Sequence, residues 1–122
     1  MKRKKRHDKQ RHQWRMQYDL PYRLKKILNA IYHRCRIGSG QPYYEGLTVA
    51  LTLGDLLYLW VRDQAWMQVQ PSIDRINNKQ GYLLDNCRFI PFRDNIRRAV
   101  AGRDEQKKVA SLRRTLAEKR VA

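Results

Sequence analysis

The chain has 122 residues, 27 Lys/Arg against 11 Asp/Glu and a formal net charge of +16, so it has room for one small domain with tails and a modest core. No stretch approaches the ~20 consecutive apolar residues of a membrane span, and no apolar signal-peptide segment follows the basic start. A soluble cytoplasmic protein without a membrane partner is expected.

The charge is segregated. Residues 1–26 hold eleven Lys/Arg against two acids, residues 27–96 seven against six, and residues 97–122 nine against three. A near-neutral middle thus lies between two cationic ends, which points to a polyanionic partner whose phosphates release counterions on binding. The run Lys2, Arg3, Lys4, Lys5 and Arg6 is followed by polar residues with no apolar face to insert into a bilayer, which disfavours a membrane surface. Cys35 and Cys87 read as buried small hydrophobes rather than a disulfide. A structural zinc would want four closely spaced ligands, and His33 beside Cys35 does not supply them.

In chain order, residues 1–20 lack apolar periodicity and read as a basic, flexible or binding-induced arm. Pro21 opens a helix whose buried stripe is Leu24, Ile27, Leu28, Ile31 and Cys35. The Gly38–Pro42 segment ends it. Leu47–Ala50 reads as a short strand or extended segment. Thr52 and Asp55 form a capping-box-like start to a helix with Leu56, Leu57, Trp60 and Val61 as its apolar face. Trp60 and Trp66 are expected in the core. Ser72–Ile76 and Cys87–Ile90 read as two strands joined by a loop too long for a tight turn, which Tyr82 and Leu83 would pack. Pro91 starts a helix with Phe92, Ile96 and Val100 on one side, and Gly102 ends it. A last basic helix over residues 103–122 carries Val109, Leu112 and Leu116 as a narrow apolar stripe.

The stretch from Ser72 to Asn95 carries the chemistry. Phosphodiester hydrolysis calls for hard oxygen ligands to a Mg²⁺-like ion, a group that positions water, and cations that hold phosphate. Asp74 on the first strand and Asn95 one turn into the following helix supply two oxygens, which meet if that helix packs across the hairpin. Arg88, Arg93, Arg97 and Arg98 lie where they could line a phosphate path, although Arg97 and Arg98 cannot both face it. The plainer reading of Asp74 is a structural partner of Arg75 or Arg88.

This stretch, with Asp-Arg-Ile-Asn-Asn, Gly81-Tyr82, Asn86-Cys87-Arg88 and Asn95, resembles the HNH (ββα-metal, His-Me finger) endonucleases in their phage-type form. Arg34-Cys35 and Tyr43-Tyr44-Glu45-Gly46-Leu47 also resemble segments of that subgroup, so the likeness covers about residues 32–98. It implies an α+β fold with a small ββα-metal core over residues 21–102, flanking helices and basic arms. It further implies a DNA endonuclease, acting on duplex DNA in a phage-infected or bacterial cell, that nicks or cleaves with Mg²⁺ or Mn²⁺. Asp74 and Asn95 would hold the metal, and Asn86 would staple the loop. Arg75 stands where the family carries its general-base histidine, and a guanidinium does not accept protons near neutrality. Arg75 then either contacts the scissile phosphate while water, Tyr82 or a histidine serves as base, or marks a slow and specific site. The remaining alternative is a catalytically degenerate module that only binds DNA or RNA. His33 lies opposite the apolar stripe of its helix, and His7 and His12 belong to the arm.

Removing residues 1–18 is expected to weaken DNA affinity and to lower the slope of log K against log salt by about 0.9 for each phosphate no longer neutralised. Fluorescence anisotropy over a salt series measures this, and an unchanged slope would show that the arm does not touch phosphate.

Overall fold

A computed structural model describes the backbone of residues 2–121 and the side chains of residues 8–103, 107–108 and 111–119. The proposed phosphate contacts of Lys2, Arg3, Lys4, Lys5 and Arg6, the place of His7 and that of Val109 in an apolar stripe lie outside the described side chains. The architecture is α+β: four helices and one two-stranded antiparallel sheet. No helix among the described residues is long and apolar enough to cross a membrane.

The N-terminal segment is helical rather than a flexible arm. Helix α1 spans Lys2–Tyr18. Its Lys, Arg, Gln and Met residues favour helix individually even though they form no apolar stripe. Two contacts hold its end to the next helix: His12 Nδ1 is 2.7 Å from the Tyr22 hydroxyl, and the Arg15 guanidinium lies 4.0 Å from the Tyr22 ring centre. Helix α2, Leu20–Cys35, starts where Asp19 caps the amide of Tyr22 and Pro21 occupies the first turn. Leu24, Ile31 and Cys35 are buried, with Ile27 and Leu28 packed beside them, as the periodicity predicts.

Helix α3, Leu53–Arg62, begins with the reciprocal capping box of Thr52 and Asp55. Its buried face is Leu56, Leu59 and Trp60, whereas Leu57 and Val61 are exposed. The apolar face predicted from sequence is therefore rotated. Leu56, Leu59 and Trp60 share one side at i, i+3, i+4 spacing, and Trp60 meets Phe89 edge-on at 5.3 Å. Trp66 is 57 % exposed and lies outside the core. It sits in a single 3₁₀ turn after α3, Ala65–Met67, which buries Ala65 instead.

Strands β1 (Pro71–Arg75) and β2 (Cys87–Pro91) pair antiparallel, with Ile73 opposite Phe89 and Asp74 opposite Arg88. Alternation along the strands sorts the side chains onto two faces. Phe89 and Cys87 enter the core that α2 and α3 share with Leu51 and Ala65. The other face, with Ser72, Asp74 and Arg88, lies under α4.

Helix α4 spans Phe92–Val121 without interruption. Gly102 does not end it, so residues 103–121 continue the same helix rather than forming a separate one. A glycine inside a helix costs about 1 kcal/mol relative to alanine, and the good helix formers on either side outweigh that. Phe92, Ile96 and Val100 are each 48 % exposed, because α4 meets the hairpin through the neighbouring polar face that carries Asn95 and Arg98.

Val49 bridges Tyr82, with Tyr82 N–H donating to Thr48 O at 2.8 Å and Ala50 N–H to Tyr82 O at 2.9 Å. This crossing brings Gly81 so close that an added Cβ would lie 2.1 Å from Thr48 O. Backbone is met there, not a movable side-chain tip. Gly81→Ala is therefore expected to destabilise the domain by about 2 kcal/mol or more, measurable as a lowered urea midpoint with unchanged m-value.

Candidate functional site

A cleft of about 240 Å³ opens where α2, the Tyr43–Tyr44 turn, the edge of β1, the β1–β2 loop and α4 meet. Its lining includes Arg34, Tyr44, Asp74, Arg75, Tyr82, Asn95, Arg98 and Arg103. Four arginines thus face a single carboxylate. That imbalance makes the cleft attractive to anions, and its low-dielectric walls strengthen the field.

Asp74 is 6 % exposed. Its Oδ2 accepts from Arg88 Nε at 3.0 Å across the strand pair and from Arg98 Nη1, reaching down from α4. Arg98 also donates toward the carbonyls of Arg75 and Ile76. Asp74 thus has the structural partner Arg88, and a second one in Arg98 that the sequence did not reveal. Both use the same carboxylate oxygen. Oδ1 accepts no hydrogen bond from a described residue.

Asn95 Nδ2 donates to Ser72 Oγ and to Ile73 O, both at 3.0 Å. A carbonyl can only accept, so the Ile73 contact fixes which end of the amide is nitrogen. The amide oxygen is left facing away from the strand. Asp74 and Asn95 therefore lie on one cleft wall, each with an unengaged oxygen.

Asn86 is buried and holds the loop between the strands. Its Oδ1 accepts from Asn77 N–H at 2.9 Å, and its Nδ2 donates to Asn77 O at 3.1 Å and Gly81 O at 2.8 Å. Arg75 has a related role. It is 8 % exposed, and its Nη1 donates to the carbonyls of Asn78 and Gln80 at 2.9 and 3.0 Å. Its guanidinium lies 5.3 Å from the ring centres of both Tyr44 and Tyr82. Arg75 points to the opposite face of β1 from Asp74, because neighbours on a strand alternate.

Of the arginines singled out from sequence, Arg75 and Arg98 line the cleft. Arg88 reaches only Asp74, and Arg93 and Arg97 are exposed on other faces of α4. Arg34, Tyr43, Tyr44 and Arg103 line it without having been assigned a role from sequence. Arg34 and the two tyrosines stood in segments legible as motifs. No spacing rule joined them to Asp74. His33 is exposed, and neither it nor His12 lines the cleft. The Tyr82 hydroxyl is pushed up by burial, partly offset by Arg34 and Arg75, so it stays protonated near neutrality and cannot act as a base there.

Among the described residues no three His, Cys, Asp or Glu side chains gather into a metal cluster. Asp74 and Asn95 both line the cleft, and their oxygens are of the type that a hard divalent ion retaining several waters would take. Comparison with family models, curated proteins and solved structures finds no match for this chain.

The buried acids behind the cleft give the fold an alkaline limit. Burial pushes the Cys87 thiol up to about 11 and raises Cys35 as well, against the lowering effect of Arg34 and Arg75. Groups raised in the folded state contribute stability below their unfolded pKa, and that contribution is lost as pH rises through the folded value. Urea unfolding is thus expected to show stability falling between about pH 9 and 11, by roughly 2 kcal/mol from Cys87. Cys87→Ala should remove most of that slope.

Proposed function

We propose that this protein is a DNA endonuclease of the HNH, ββα-metal type, binding duplex DNA in the cationic cleft and hydrolysing a backbone phosphodiester with a divalent ion such as Mg²⁺. One observation carries the reading. A hairpin and the helix after it bring Asp74 and Asn95, each with an oxygen that no described residue engages, to the lining of a cleft that also holds four arginines. The sequence likeness over residues 32–98 supports the same assignment.

In this reading Asp74 and Asn95 hold the ion. When bound, the ion supplies Lewis acidity toward phosphate and lowers the pKa of its water. The remaining work belongs to the protein. Arg98 neutralises and orients the Asp74 carboxylate, so that one oxygen stays turned to the cleft. Arg103 extends the positive wall along α4. Asn86 and the Nη1 of Arg75 keep the β1–β2 loop closed, which maintains the cleft edge. Arg75 acts here as a loop clamp and not as the proton acceptor that its motif position suggests.

A second reading, a ββα module that binds DNA or RNA without cutting it, draws on the cleft lining, which contains no histidine among the described residues.

Supercoiled plasmid with Mg²⁺ or Mn²⁺ separates the two. Wild type is expected to nick, and Asp74→Asn, which keeps the side-chain shape between Arg88 and Arg98, to lose at least about a hundredfold in rate. Equal gel shifts by both proteins with no cutting by either would favour the binding module.

A further inference from the structure

Of the four cleft arginines, Arg34 and Arg103 are the two whose guanidiniums make no hydrogen bond or ion pair with a described residue. Arg34 differs from Arg103 in being built into the fold. It projects from the last turn of α2, and its Nε is buried with no hydrogen-bond partner among the described residues. Its guanidinium lies 5.1 Å from the Tyr44 ring centre. Arg75 lies 5.3 Å from the same ring, and its Nε and Nη2 make no hydrogen bond to a described residue either.

Two guanidiniums thus rest on one tyrosine, and neither is ion-paired with a carboxylate of a described residue. Asp74, the acid nearest in sequence, extends to the other face of β1 and is already paired with Arg88 and Arg98. Both residues line the cleft, and two cations in a partly buried place without an anion repel. An oxyanion in the cleft offsets that repulsion. It accepts from the Nη groups of Arg34 and the unused nitrogens of Arg75, and contact with Tyr44 restricts both side chains. Guanidinium forks suit phosphate oxygens in geometry as well as charge.

We infer that Arg34 and Arg75, set on Tyr44, form a phosphate subsite separate from the Asp74–Asn95 wall, which takes one backbone phosphodiester of the bound DNA strand. The inference rests on the reading of the cleft as a nucleic-acid site, but it needs no cutting to be tested. In this arrangement Arg75 clamps the loop through Nη1 and offers its other nitrogens to the phosphate. The loop and the strand are then ordered together.

The test uses the full chain and two probes, thymidylyl-thymidine (a single phosphodiester) and inorganic phosphate, followed through arginine Nε–Hε resonances. Arg34→Lys identifies the Arg34 signal. It keeps the charge but removes the Nε donor and the fork. The Arg34 resonance of wild type is expected to shift on titration with the dinucleotide, and Arg34→Lys to weaken its binding about tenfold, whereas Arg97→Ala leaves it unchanged. A thermal midpoint of Arg34→Lys close to wild type would accompany this loss. A shift with inorganic phosphate alone would overturn the assignment to a strand phosphodiester. An Arg34 signal unmoved by either probe, or unweakened binding by Arg34→Lys, would overturn the subsite itself. Plasmid nicking scored beside it tests Asp74 and not Arg34, so either idea can fail without the other.

Discussion

The Asp74 carboxylate, held between Arg88 from the facing strand and Arg98 from α4, is the contact on which the arrangement of the hairpin and its helix turns. A nearly buried carboxylate would be costly alone, and removing it would leave two guanidiniums without compensation. The cluster therefore fixes where α4 lies on β1. Asn95 completes the attachment by donating to the Ser72 hydroxyl and the Ile73 carbonyl. These polar anchors explain why α4 leaves Phe92, Ile96 and Val100 half exposed while its asparagine and arginine side chains face the sheet. The same carboxylate keeps one oxygen free, so structural fixation and access to the cleft are divided between its two atoms.

The loop between the strands raises a separate difficulty. The backbone carbonyls of Asn77, Asn78, Gln80 and Gly81 have no ladder partners, and unpaired groups near the core are costly. Side chains supply the missing donors: Asn86 to Asn77 and Gly81, and Arg75 to Asn78 and Gln80. Tyr82 then anchors the loop in the core, and Gly81 permits its close crossing with Thr48. This shifts the meaning of Arg75. Beside Asp74 in sequence it looks like a replacement for a proton acceptor. On the strand it points the other way, and the loop has first use of it.

Much of the fold was legible. Pro21 and the capping box at Thr52 mark helix starts by backbone chemistry that tertiary context did not override, and the stripe of α2 repeats at helical spacing. The two strands stood out between Pro71 and Pro91. Other elements failed for identifiable reasons. Helix α1 has no apolar face, so periodicity could not signal it, and its contacts are polar and aromatic ones with Tyr22. Gly102 carries a stop signal that only the flanking propensities overrule. The rotation of the α3 face depends on where Phe89 sits, which is a long-range fact. In the site, Asp74 and Asn95 could be grouped along one segment, and Asn86 joined them through what the family resemblance implies. Arg34 and Tyr44 reach the cleft from elements 30 to 40 residues earlier, and nothing local connects them to β1.

The uninterrupted course of α4 through Gly102 has a geometric consequence. Its early turns build a cleft wall through Asn95, Arg98 and Arg103, and its later turns carry Arg113, Arg114 and Lys119. With a rise of 1.5 Å per residue, the 19 residues beyond Gly102 extend roughly 28 Å. Because one continuous helix carries both ends, the distance between them is set by residue count rather than by a hinge. The helix is in effect a ruler, and inserting or deleting residues after Gly102 would change its reading in steps.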